Sequence, residues 1–260
     1  MIRVISLGAG VQSSTMALMA AVGDLVPMPD CAIFADTGWE PKAVYDWLGW
    51  LETQLPFPVY RVSVANIRAD IVAKNTSANG RFAAVPWFTE GGMGRRQCTK
   101  EYKLVPIRRK VRQLLGGKTP AGGCEMWIGI STDEAARMKP STNKYIVNRW
   151  PLIEDRLSRN DCLRWMERQR FATPPKSSCI GCPFHNDAHW RKMKNEAPDE
   201  FADAVEIDRM IRDGGTQRGI RGKQYMHRRM IPLDQVDLST AEDHGQLNMF
   251  INECEGMCGV

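Results

Sequence analysis

The chain has 260 residues, eight of them cysteine, with 43% hydrophobic and 25% charged residues. That balance is of a soluble globular protein, and no apolar run approaches the ~18 to 20 residues of a membrane span. The net charge of +5, from 35 basic against 30 acidic residues, is far from the basic footprint of a dedicated nucleic-acid binder and suits an anionic substrate.

Met1-Ile2-Arg3-Val4 runs straight into a strand. No signal peptide is expected, and a cytoplasmic location follows. In that reducing setting clustered cysteines point to metal or redox chemistry rather than to disulfides. The strand ends in Ser6-Leu7-Gly8-Ala9-Gly10-Val11-Gln12-Ser13-Ser14-Thr15, which leads into the apolar helix start Met16-Ala17-Leu18. Glycines let a backbone approach a bound group, and helix-start amides attract anions. A strand-to-helix turn of this composition also occurs without any ligand.

Cys31-Ala32-Ile33-Phe34-Ala35 reads as a buried parallel strand and ends in Asp36-Thr37-Gly38. Pro41 opens a helix carrying Val44, Trp47, Leu48 and Leu51, and a strand is expected over Val59 to Val64. Ligands of open α/β sheets bind at strand carboxyl ends, so the two strand-end motifs are expected to share a crevice. Lys74 to Gln97 loses periodicity, as a loop covering a site does. A helix is expected over Lys103 to Leu115, with Pro106 in its first turn, then a strand over Met126 to Ile130. Ser158 caps a helix reaching Gln169, Cys179-Ile180-Gly181-Cys182 forms a tight loop, and Pro198 to Asp213 is helical. The last forty residues read as irregular and carry Cys254 and Cys258.

Alternating strands and helices predict an α/β fold, a Rossmann-like parallel sheet flanked by helices. Residues 1–157 are read as a nucleotide-binding α/β domain and 158–260 as a helical, irregular region bearing the cysteine loop and tail. Cys31, Cys124 and Cys162 sit in or beside apolar segments and read as small packed hydrophobes. Most of the tryptophans read as core, and Trp39 beside Asp36-Thr37-Gly38 is a candidate stacking face.

The opening turn, Asp36-Thr37-Gly38, Cys98 ahead of a Lys-x-x-Pro helix, and Glu253-Cys254 together resemble the sulfonucleotide reductases, the phosphoadenylyl-sulfate and adenylyl-sulfate reductase family. That family belongs to the adenine nucleotide α-hydrolase group, whose other branch is the ATP pyrophosphatases. The resemblance implies that Ser6, Gly8, Gly10, Gln12, Ser13 and Ser14 hold phosphate or sulfate, with Gln12 closer to the reductase form of the loop. It implies that Asp36, Thr37 and Gly38 contact the nucleoside and that Arg137, in a Gly129 to Arg137 segment, neutralises anionic oxygen. The family ends in Glu-Cys-Gly-x-His, whereas this chain has Glu253-Cys254-Glu255-Gly256 and a second thiol at Cys258. The implied catalytic thiols are Cys254 and Cys258, with a thioredoxin-like protein as reductant.

Cys-x-x-Cys lets two thiolates reach one metal centre from a tight turn. Cys179, Cys182 and Cys98 are therefore candidate ligands of an iron-sulfur cluster, of the 4Fe-4S type in the resembled family, or of zinc. His185 and His189 are alternative ligands. Three function classes follow: a sulfonucleotide reductase acting on an adenine nucleotide, an ATP-dependent sulfurtransferase modifying DNA or tRNA, and a zinc-stabilised nucleotide-binding module without catalysis.

Overall fold

The computed structural model describes residues 1–73, 85–117, 122–213, 222–239 and 243. Strand β1 (Ile2–Leu7) is central, helix α1 (Val11–Val22) follows it, and β2 (Cys31–Ala35), α2 (Lys42–Gln54) and β3 (Val59–Val62) extend the sheet to one side. Helix α3 (Ile67–Val72) and a small antiparallel pair, β4 (Phe88–Thr89) and β5 (Gly92–Met93), come next. Then follow α4 (Val105–Leu114), β6 (Cys124–Ile128) and β7 (Ile146–Arg149). The large sheet has the order β3-β2-β1-β6-β7, and every pair in it is parallel. It is the expected α/β arrangement, a parallel sheet with helices on both faces.

Side-chain alternation on the strands splits the core in two. Ile5, Leu7, Phe34 and Trp127 pack on one face with α1 and α2. Val4, Ile33 and Met126 pack on the other, against Ile107 and Val111 of α4. The chain then continues through α5 (Pro151–Glu154), α6 (Arg159–Arg168), α7 (Asp187–Glu196) and α8 (Pro198–Ile211). Ser158 caps α6 as expected: its hydroxyl accepts from the Asp161 amide at 3.1 Å, and the Asp161 carboxylate accepts from the Ser158 amide at 2.9 Å. Cys162, Trp165 and Met166 of α6 join the α1 and α2 core. Helices α3, α7 and α8 build a third core with Trp39, Trp87 and Ile180, against which Cys98 and Cys179 pack.

Some boundaries differ from expectation for local reasons. The strand expected at 126–130 starts two residues earlier, at Cys124, and β3 ends at Val62. The helix expected from Lys103 begins as a π-helical turn, Thr99–Leu104. Pro106 has no amide hydrogen to give the carbonyl four residues back, and the preceding turn widens. Strand β7 was not expected, because only Ile146 of its residues is buried and no apolar run marks it. Cys254 and Cys258 lie outside the described residues.

Candidate active site

The turn after β1 opens into a cleft at the carboxyl end of the sheet. Ser6, Gly8, Gly10, Gln12, Ser13 and Arg137 all line it. Ala9 adopts a left-handed conformation, φ 58°, while fully buried. Such strain in a non-glycine residue persists only where its surroundings enforce it and clusters at ligand sites. The Ser13 hydroxyl accepts from the Gly8 amide at 3.1 Å and folds the turn onto itself. Gly10 caps α1 without a side-chain hydrogen bond, which leaves first-turn amides for an anion. A Cβ on Gly10 would stand 2.6 Å from the Ser177 hydroxyl.

Cations complete the cleft: Lys103, Lys176 and Arg137 stand on its walls. Arg137 is ion-paired to Glu134. Gln12 in turn donates to Glu134 at 3.2 Å and to the Ser131 hydroxyl at 3.4 Å. Gln12 is thus tied to the segment after β6, holding Glu134 and Arg137 in register with α1. Gly129 makes that register possible, since a Cβ there would lie 2.8 Å from the Ser13 amide nitrogen.

Other residues expected at the anion or nucleoside also make contacts within the protein. Ser14 is fully buried and accepts from the Trp47 indole at 2.9 Å. The Asp36 carboxylate accepts from the Gly38 amide at 2.7 Å and from the Tyr45 hydroxyl at 2.8 Å. Burial and the Asp36 hydrogen bond raise the Tyr45 pKa. Among the described residues the cleft walls include Phe34 and Ala35 but not Asp36, Thr37 or Gly38.

Thr37 belongs to a second, almost wholly apolar pocket, whose walls include Cys98, Cys179 and Cys182. Its hydroxyl donates to Glu40 at 3.0 Å and lies 3.2 Å from the Cys179 sulfur. The loop turns through Cys182 N to Cys179 O at 3.0 Å and is pinned by Ile180 N to Trp39 O at 2.9 Å. Gly181 is obligatory, because a Cβ there would come within 2.0 Å of the Trp39 ring. Trp39 is buried under this loop and donates to Asp203 at 2.6 Å, so it is a wall and not an open stacking face.

His185 stands behind the loop with Nε2 at 3.0 Å from the Cys179 carbonyl and 3.2 Å from that of Ile180. Burial first, then His189 and Lys176, hold it well below the ordinary histidine range. The neutral ring donates that proton to the loop and braces it. His189 stacks on His185 at 4.1 Å, and burial lowers its pKa to about 4. Cys31, Cys124 and Cys162 are packing groups, pushed by burial to about 11, 12 and 12 respectively.

Residues with no role assigned from sequence join the two pockets. Lys103 lines both, and its ammonium lies 3.4 Å from Glu40. Glu40 is buried, and its Oε2 has no hydrogen-bond partner among the described residues. Lys176, Ser177 and Ser178 enter the anion cleft directly before Cys179. Among the described residues no three His, Cys, Asp or Glu side chains are close enough to hold a single metal ion. Cys98, Cys179 and Cys182 line one pocket together.

No family model matches the sequence, and no curated protein matches it. Among solved structures, the chain is similar to a phosphoadenylyl-sulfate (PAPS) reductase from Candida auris in a phosphate complex. That likeness has 11% identity and a TM-score of 0.42 and covers 66% of this chain and 74% of the reductase. It is also similar to the U34-tRNA thiolase NcsA from Methanococcus maripaludis, which carries a [4Fe-4S] cluster. Here identity is 15% and the TM-score 0.40, with 80% of this chain and 71% of the thiolase covered. Values this low assign no role to any residue of this chain.

Proposed function

We propose that the protein is an adenine-nucleotide-dependent enzyme of sulfur metabolism, of the sulfonucleotide-reductase type, with an iron-sulfur cluster held by Cys98, Cys179 and Cys182. The observation that carries this reading is Lys103, a single side chain forming a wall of both the anion cleft and the three-thiol pocket. A phosphate or sulfate bound over Gly8 and Gly10 meets the ammonium of a residue that also borders the thiols.

The pocket's chemistry fits a cluster. Its walls are apolar, its thiols are three, and the Thr37 hydroxyl is placed to hydrogen-bond sulfur. The cluster, when bound, supplies redox-active iron or an open iron site. The chain's own residues do the remaining work. Lys103, Lys176 and Arg137 neutralise the anion, the α1 amides orient it, and His185 fixes the cysteine loop.

In the reductase reading a tail thiolate, Cys254 or Cys258, attacks the sulfate sulfur of adenylyl sulfate. The sulfur-oxygen bond to AMP breaks, AMP leaves, and a cysteine S-sulfonate forms. A second thiol then attacks the cysteine sulfur, sulfite leaves with the bonding pair, and a thioredoxin-like dithiol reduces the resulting disulfide.

The alternative is an ATP-dependent sulfurtransferase acting on a nucleic acid. The test is to offer the anaerobic protein adenylyl sulfate, its 3′-phosphorylated form, and ATP. Sulfite release abolished by Cys254→Ser is the expected result. Pyrophosphate release from ATP, with neither sulfonucleotide consumed, overturns the reductase reading.

A further inference from the structure

Ser177 stands where the anion cleft meets the cysteine loop, and the sequence assigns it no role. Gln12, Ser13 and Arg137, which the resemblance places at the anion, each have a partner within the protein. Gln12 and Arg137 are both joined to Glu134, and the Ser13 hydroxyl accepts from the Gly8 amide. The Ser177 hydroxyl lines the same cleft and has no hydrogen-bond partner among the described residues. Its oxygen sits over the glycine turn, 2.6 Å from the place of a Cβ on Gly10 and 3.9 Å from that of a Cβ on Gly8. These are the two glycines whose missing side chains let a bound group come close to the backbone.

The hydroxyl is held in place from both sides along the chain. Pro174 and Pro175 restrict the backbone that leads into Lys176, and the Ser178 amide donates to the Lys176 carbonyl at 3.3 Å. Ser178 is buried, with its own hydroxyl 3.5 Å from His185 Nδ1. Beyond it the Ile180 amide donates to the Trp39 carbonyl at 2.9 Å. A donor fixed in this way loses little freedom when it binds a ligand. An oxyanion beside a helix start takes hydrogen bonds from hydroxyls as well as from main-chain amides, and bonds to a charged acceptor are the strong ones.

We propose that Ser177 is an anion-binding residue, its hydroxyl donating to an oxygen of the phosphate or sulfate held over Gly8 and Gly10. Because Ser177 lies two positions before Cys179, an anion bound this way also holds the segment that enters the cysteine loop. The proposal rests on the nucleotide reading above and adds to it a contact from outside the sheet. Its test uses the full chain with inorganic pyrophosphate and ATP as calorimetric probes. Ser177→Ala is expected to weaken pyrophosphate binding about tenfold or more, the loss of one hydrogen bond to a charged oxygen. It should leave the melting temperature of the anion-free protein unchanged, since the hydroxyl gives up no partner within the protein, and should reduce the rise in melting temperature that pyrophosphate produces. In the wild type, pyrophosphate is expected to slow amide hydrogen exchange in peptides covering 176–182 as well as in those covering 8–15. Equal pyrophosphate affinity in wild type and Ser177→Ala, or slowing confined to 8–15, overturns the assignment and leaves the nucleotide reading standing. Absence of both pyrophosphate and ATP binding to the wild type overturns both. Should Ser177→Ala fold poorly, hydrogen exchange on the wild type decides.

Discussion

His185 and His189 show how single buried side chains set the behaviour of the site. Both rings are stacked inside the protein, and burial keeps them neutral where a free imidazole would begin to charge. For His189 the sign is definite, because its native pKa of about 4 lies below its ordinary 6.5. Between those values the unfolded chain takes up a proton that the native protein refuses, so stability falls as pH drops from 6.5 towards 4 and the loss levels off below that. His189→Gln removes this proton uptake. The melting temperature of the wild type should therefore fall more steeply with acidification across that window than that of His189→Gln. Parallel curves would contradict the assignment.

At the same scale, the residues that define the chemistry divide into those with a sequence signature and those without. Gly8, Gly10, Ser13 and the Cys-x-x-Cys loop were legible because turn glycines, helix-start hydroxyls and paired thiols form local patterns, although such patterns also occur without a ligand. Lys176 and Glu40 were not, since one charged residue outside a motif looks like any solvated surface group, and Lys103 was legible only as the lysine of the Lys-x-x-Pro helix start, with no role attached to it. Only the fold places Lys103 between the two pockets. Thr37 sits against Cys179, a contact across 142 positions of sequence that no local pattern encodes.

Elements are held to one another by close approaches that tolerate no side chain. The clearest joins β6 to α1, where Gly129 faces the Ser13 backbone. A methyl group there meets nitrogen at 2.8 Å and Cα at 2.9 Å, neither of which can rotate away. Gly129→Ala should cost about 1 to 3 kcal/mol, as overpacking does, and should also displace the first turn of α1 and weaken pyrophosphate binding. A variant with unchanged melting temperature and unchanged pyrophosphate affinity would remove the α1 register from the account. The elements themselves were largely readable. Strands β1, β2 and β6 are buried on both faces and announce themselves as continuous apolar runs, whereas β7 at the sheet edge does not. The widened turn at Thr99–Leu104 follows from Pro106, but it takes the structure to show that the proline sits beyond the π-helical turn and not in the first turn of one longer helix.

Over the whole molecule the parallel sheet supplies the anion cleft, and the third core of α3, α7 and α8 supplies the thiol pocket. Lys103 and the 176–179 segment connect them, with Lys176 to Ser178 on the cleft and Cys179 on the pocket. The proposed function depends on the two cores being adjacent, because it draws on both the anion cleft and the cysteine loop. The claim that the thiol pocket is a cluster site is tested most directly by the visible spectrum and metal content of protein prepared and reconstituted without oxygen. The account predicts a brown protein with a broad thiolate-to-iron band and about four iron and four sulfide per chain, the stoichiometry of a 4Fe-4S cluster, with the band lost in Cys98→Ser, Cys179→Ser and Cys182→Ser. A colourless protein carrying zinc, or iron retained undiminished in all three variants, would contradict it.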